Sequence, residues 1–173
     1  YAGTFGRDLA LARPAALARD EAPSAPVARH ALLACEERGD EPYEMVLLLQ
    51  PTAPLVSPGD IDATLALLAR THAESAVTVT HAGHVHPAKL KRLDGDRLLP
   101  LMEGETTYRR QELSDVYIRN GACYAARRDI VLRGELLGAD VRALVVPRDR
   151  SVNIDDPYDL AFAEFLIQRR GGP

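Results

Sequence analysis

The chain has 173 residues, 46% hydrophobic and 27% charged, with a formal net charge of −4, which suits one soluble globular domain running over residues 1–173. Acidic and basic residues are interspersed and no basic block stands out, which argues against a nucleic-acid binder but leaves room for a small polyanionic substrate. The absence of any run of 18 apolar residues argues against a membrane span, and the two cysteines, Cys35 and Cys123, make neither a disulfide framework nor a zinc site; they are expected to be buried free thiols in a cytoplasmic protein.

Tryptophan is absent, so the core must be built from Leu, Val, Ile and Ala. Apolar runs alternate with helical patterns, which argues for an α/β domain. Residues 5–26, rich in Ala, Pro and Arg, read as loop with a short helix, and 26–37 as a helix that ends at Gly39. Residues 44–49 form a continuous apolar run, as expected of a strand buried on both faces. A loop with three prolines follows. Ser57 then has the chemistry of an N-cap, with Pro58 at the first helical position and Asp60 in the first turn. That helix is expected to reach Arg70, with Ile61, Leu65 and Leu68 on one face. Residues 75–80 read as a strand and 90–99 as a hairpin turning at Asp94-Gly95-Asp96. Residues 102–115 are polar and read as loop. A strand is expected around 121–125, a short helix over 128–133 closed by Gly134, and a strand over 141–146 stopped by Pro147. The last helix opens near Asp156-Pro157 and runs to about Arg169, with a core stripe of Leu160, Ala163, Phe165 and Leu166.

No Walker loop, nucleophile elbow or zinc-spaced cluster is present, which leaves side-chain nucleophilic catalysis with little support. Four other patterns carry polar chemistry. Leu49-Gln50-Pro51-Thr52-Ala53-Pro54-Leu55 follows a strand, where open α/β sheets bind ligands, although a plain proline-rich turn reads the same way. In His86-Pro87-Ala88-Lys89, a lysine after a fixed turn suits a carboxylate or phosphate, or is simply solvated. His81, His84 and His86 share one face of an extended segment but have no carboxylate to complete a metal site. Tyr108-Arg109-Arg110-Gln111 offers paired cations, and Asn120-Gly121 reads as a tight turn leading into a strand. In Ser151-Val152-Asn153-Ile154-Asp155-Asp156, an extended backbone puts Asn153 and Asp155 on one face, which suits a magnesium ion. Helix capping by Asp155 or Asp156 is the alternative.

The order of these motifs resembles the CMP-sialic acid synthetase family. The resemblance runs from Arg13-Pro14 and Leu17-Ala18-Arg19-Asp20 through Gln50-Pro51-Thr52, Asp60-Ile61-Asp62, His86-Pro87-Ala88-Lys89 and Arg110-Gln111 to Asn120-Gly121-Ala122-Cys123-Tyr124 and Ser151-Val152-Asn153-Ile154-Asp155. It implies a Rossmann-like nucleotide-diphospho-sugar transferase fold with a mostly parallel sheet and a hairpin extension, about 85–118, used in dimerisation. It implies transfer of CMP from CTP to the anomeric hydroxyl of an acidic nine-carbon sugar, with release of pyrophosphate, by a Mg2+-dependent homodimer. By that resemblance Gln50, Lys89, Arg110, Gln111 and Asn120 bind the sugar, Ser24 lies near the nucleotide, and Asn153 and Asp155 hold the metal as the catalytic pair. The family's Gly-, Arg- and Lys-rich opening loop is not among the 173 residues, so the domain is expected to be N-terminally incomplete. Asn153 stands where the family has an aspartate, and Val56 where it commonly has an arginine. These departures leave two alternatives: another acid acceptor, such as a different ulosonic acid or a phosphonate, and an inactive ligand-binding paralogue.

Overall fold

The computed structural model describes residues 11–19, 21–38, 42–83, 85–101 and 114–171. Its elements are α1 (Ser24–Glu36), β1 (Met45–Leu49), α2 (Pro58–Thr71), β2 (Ser75–His81), β3 (Lys91–Asp94), β4 (Arg97–Pro100), β5 (Tyr117–Arg127), α3 (Arg128–Leu132), β6 (Val141–Val145) and α4 (Pro157–Arg169). A four-stranded sheet has the order β1-β5-β2-β6, and β3 and β4 form a separate hairpin. β5 runs antiparallel to both β1 and β2, while β2 and β6 are parallel. Three of the four strands therefore point one way, with β5 reversed between them. The expected α/β fold is present, with its carboxyl edge formed by the ends of β1, β2 and β6. Among the described residues no helix is long and apolar enough to cross a membrane.

Two helices begin with the same chemistry. Ser57 caps α2 and Asp156 caps α4, each followed by a proline and then by an aspartate that closes a capping box, Asp60 and Asp159. Each box satisfies amides that the first helical turn leaves without partners. The α1 helix starts at Ser24, two residues before the expected position. Pro26 lies in its first turn, where a missing N–H costs nothing. At the hairpin, Asp94 pairs with Arg97, and Gly95 takes a positive φ of 63° at the first of two loop positions, as a type II′ turn requires.

The core lies on both faces of the sheet. Leu68, Ala73, Ala76 and Ala125 pack together under α2, while Ala28, Leu32, Ala126, Ile130 and Val131 pack under α1 and α3. Alanines at the sheet positions let the helices approach closely, which compensates for the scarcity of large aromatics. Glu36 at the end of α1 takes a bidentate bond from Arg128, at 2.7 and 2.8 Å, and so ties α1 to the start of α3.

Three expectations are corrected. β1 is only half-buried and Leu49 is exposed, because among the described residues β1 has a partner strand on one side only. On α4, Leu160 and Phe165 are exposed, and the helix docks through Ala163, with Leu166 packed behind it, against Leu55 and Val152. Asn120-Gly121 is not a turn before a strand; it lies inside β5.

At that point β5 departs from regular pairing. Val77 opposes Tyr124 and Val79 opposes Arg119, so the segment between Arg119 and Tyr124 faces Thr78 alone. Such an insertion strands backbone groups, and side chains replace the missing ladder. Thr78 Oγ1 donates to Asn120 Oδ1 at 2.6 Å and accepts from Cys123 N at 3.0 Å. Asn120 Oδ1 also accepts from Ala122 N at 3.2 Å. Gly121 carries the bulge with a φ of 75°. Thr78→Val keeps the shape but leaves the buried Cys123 amide unpaired. It is expected to cost about 2 kcal/mol in chemical denaturation, against about 1 kcal/mol for Thr78→Ser, which keeps the hydroxyl.

Candidate active site

The bulge gathers loops that are far apart in the sequence. The backbone N–H of Ile154 donates to Thr52 O at 2.8 Å and joins the Gln-Pro-Thr loop to the Ser-x-x-Ile-Asp loop. Asn120 Nδ2 donates to Ser151 Oγ at 3.1 Å and joins the bulge to the same loop. Gly121 sits between them. A Cβ there would lie 3.1 Å from Gln50 Oε1 and 3.2 Å from Asn153 Oδ1. The three motifs that carry the family resemblance most specifically therefore converge on one glycine.

Two of them, the loops of Gln50 and of Asn153 and Asp155, border a cavity of about 410 Å³ at the carboxyl edge of the sheet, which Arg13 and Ser24 also line. This is where open α/β sheets place ligands. Ser24 enters as the first residue of α1 and Gln50 directly follows β1. Asn153 Nδ2 donates to Asp155 Oδ2 at 2.7 Å, so the two side chains are neighbours, as an extended backbone requires. Helix capping falls to Asp156, which accepts from Tyr158 N and Asp159 N, and the Asp155 carboxylate is left facing the cavity. Asn153 Oδ1 is buried without a partner among the described residues. A second space of about 390 Å³ adjoins the first through Ser24, Leu48 and Gln50 and adds Arg119, Tyr124 and Glu135 to its walls.

The other expected site residues are placed differently. Asn120 is 4% exposed and its amide is spent on Thr78, Ala122 and Ser151, so it shapes the site from beneath. Lys89 lines a separate cavity with His81 and His86. Arg110, Gln111 and His84 lie outside the described residues. Val56 packs beside Ala53, Ala122 and Cys123 under α2 and turns away from the cavity. Burial pushes the Cys123 thiol up to about 11, which suits an inert core cysteine. Arg13, which the sequence offers only within the Arg13-Pro14 motif, lies on the cavity and adds a cation.

One partly buried ion pair holds the loop that carries Asn153 and Asp155. Arg150 donates twice to Asp60, at 2.9 Å to each carboxylate oxygen, while Asp60 also accepts from Ser57 Oγ at 2.7 Å. The α2 cap thereby clamps the turn three residues before Asn153. The Arg150 guanidinium, with the Ser57 bonds behind it, holds the Asp60 carboxyl well below its ordinary value of 3.8, at about 2, against the opposing effect of burial.

No family model matches the chain. It is similar to post-translational flagellin modification protein B of Campylobacter coli, with 25% identity over 167 residues that cover 96% of this chain and 71% of that protein. It is also similar to the CMP-N,N'-diacetyllegionaminic acid synthase of Campylobacter jejuni, with 28% identity over 164 residues that cover 94% of this chain and 69% of that enzyme.

Because the folded Asp60 value is depressed, its contribution is full above about pH 4 and is lost as pH falls from 3.8 toward 2. Asp60→Asn is expected to cost about 2–3 kcal/mol at neutral pH and to flatten that acid limb, as read from urea melts across the range. The two relatives resemble this chain along nearly its whole length, and one of them is a synthase of a CMP-linked acid sugar.

Proposed function

We propose that the chain forms the catalytic domain of a nucleotidyltransferase that moves CMP from CTP to the anomeric hydroxyl of an acidic nine-carbon sugar and releases pyrophosphate. The observation that carries this reading is the meeting of Gln50, Asn153 and Asp155 at one cavity on the carboxyl edge, with Gly121 packed against Gln50 and Asn153, in a chain similar to a CMP-N,N'-diacetyllegionaminic acid synthase. Such transfer asks mainly for positioning and charge neutralisation, and rigid loops with a few polar groups meet that need. In this reading Ser24 and Arg13 face the nucleotide, with Arg13 opposing phosphate charge. Gln50, as donor and acceptor, holds sugar hydroxyls and aims the anomeric oxygen.

Asn153 and Asp155 would hold Mg2+, which supplies neutralisation of phosphate charge when bound. The donor set admits such an ion: Asn153 Nδ2 now contacts the Asp155 carboxylate, and a half-turn of the amide would set its oxygen beside that carboxylate. One carboxylate and one amide make a weak site completed by water and phosphate. A homodimer belongs to the same proposal. Lys89 and Gln50 line different cavities within one chain, so a single sugar that uses both draws on two copies. Leu93 and Leu98 oppose each other on the hairpin and are 69% and 65% exposed, which supports this hairpin as the face a second copy covers.

The direct test is pyrophosphate release from CTP and Mg2+ with a panel that includes N-acetylneuraminic acid, N,N'-diacetyllegionaminic acid and other ulosonic acids. Release with at least one acid acceptor, abolished in Asp155→Ala, is the expected result. Binding without release from every acceptor would favour the inactive ligand-binding alternative. Asn153→Asp sets two carboxylates together, so its melting temperature should fall without metal and gain more than the parent's on adding Mg2+. Leu93→Asp with Leu98→Asp should halve the mass seen by light scattering, and an unchanged mass would reject this dimer face.

A further inference from the structure

The loop between α3 and β6 folds back on the start of β2, where three of its successive amides meet two side chains. Gly138 N donates to Ser75 Oγ at 3.0 Å, Asp140 N donates to Glu74 Oε2 at 3.1 Å, and Ala139 N donates to the same carboxylate oxygen. In return Asp140 O accepts the Glu74 and Ser75 amides, at 3.0 and 3.2 Å. A run of backbone N–H groups aimed at one place suits an anion, and the Glu74 carboxylate supplies it. The Asp140 and Ala139 amides hold that carboxyl below its ordinary value. Space requires the glycine here, since a Cβ on Gly138 would lie 2.6 Å from Glu74 Cβ. Arg133 adds little, because its guanidinium stands 3.7 Å from Glu74 in a pair whose side chains are 50% and 35% exposed.

This clamp fixes one end of a short span whose other end is fixed by α3. There Gly134 N donates to Val131 O at 2.9 Å and Glu135 N to Ile130 O at 3.2 Å. Between the two anchors lie Glu135, Leu136 and Leu137, and all three line the space of about 390 Å³ that adjoins the Gln50 cavity. Leu136 is also held by packing on Ala28, Leu32 and Ile130. Leu137, next to the clamped Gly138, depends on the clamp most directly. Glu74 itself lines neither space, so its effect on a ligand passes through the loop. Arg13, Asn153 and Asp155, the groups suited to phosphate and its counter-ion, line only the first space. The sugar held at Gln50 is then what meets the clamped wall.

We propose that Glu74 is a positioning residue for the acceptor: its carboxylate sets where the 135–137 wall stands and thereby how tightly the sugar is held. The inference rests on the transferase reading and deepens it with a residue that lies outside the site. A wall held from behind costs the ligand little ordering entropy, whereas a loosened one must be ordered at the moment of binding. The loss on removing the clamp therefore falls on acceptor affinity, not on the nucleotide or on the transfer step.

The test compares Glu74→Ala and Glu74→Gln with the parent, each as the full chain. Hydrogen exchange at the 136–140 amides should quicken about tenfold in Glu74→Ala, with the amides in the middle of β5 unchanged. In the pyrophosphate assay, with the same acid acceptors, the acceptor KM should rise about tenfold while kcat and the KM for CTP stay within about twofold of the parent's. Glu74→Gln keeps an oxygen for the Ala139 and Asp140 amides and should recover most of the loss. A merely structural role would lower kcat through the folded fraction and leave both KM values alone; that result, or two KM values that rise together, or unchanged exchange, would overturn the proposal. Release by the parent with an acceptor KM that Glu74→Ala leaves unaltered would reject the positioning role alone. Where the parent releases no pyrophosphate, calorimetric binding of N-acetylneuraminic acid decides. Binding weakened in Glu74→Ala and restored in Glu74→Gln would reject the transferase reading alone, whereas equal binding, or none by the parent, would reject both.

Discussion

A single buried contact, the Thr78 hydroxyl against the Asn120 amide oxygen at 2.6 Å, sets the shape of the carboxyl edge. It closes the gap left where β5 inserts extra residues opposite one residue of β2. Without the inserted segment β5 would pass straight between its neighbours. Gly121 would not reach Gln50 and Asn153, and Ser151 would have no amide to hold. The energy at stake is modest, because a hydrogen bond formed on folding replaces one to water. Its leverage is geometric, since three loops take their positions from it.

The loops themselves gain rigidity from sharing anchors. Ser57 and Asp60 cap α2, and Asp60 then takes Arg150. Thr52 O receives Ile154 N, while Val152 is buried between Leu55 and Ala163. Segments joined through backbone, side chain and apolar contact at once lose little further entropy when a ligand binds, which is the condition for preorganised recognition.

Much of this was legible in the sequence where local chemistry decides the outcome. Ser57-Pro58 and Asp156-Pro157 announce helix starts, Asp94-Gly95-Asp96 announces the hairpin, and Gly134 closes α3. The neighbourhood of Asn153 and Asp155 also followed from backbone alternation alone. Long-range pairing decided the rest. Asn-Gly is turn chemistry in almost any context, and only the mismatch with β2 moves Asn120-Gly121 into the interior of a strand. The periodicity of α4 records an apolar face but not how wide a neighbour covers it, so it counts Leu160 and Phe165 as core although only a narrow strip docks. Asp60 read as a cap because the Arg150 that completes its role lies 90 positions away. His81 and His86 stand out in the sequence by their spacing, whereas the Gly83 and Ala88 amides that their Nδ1 atoms accept appear only in the fold.

The open side of β1 has a consequence for handling the molecule. Residues 45–49, Met-Val-Leu-Leu-Leu, contain neither a charge nor a proline, and among the described residues one side of the strand has no partner. Natural edges are normally blunted by lysine, proline or a bulge, and an unguarded apolar edge templates strand addition. An edge of this kind left uncovered favours association edge to edge as concentration rises, and any segment that pairs along β1 would suppress it.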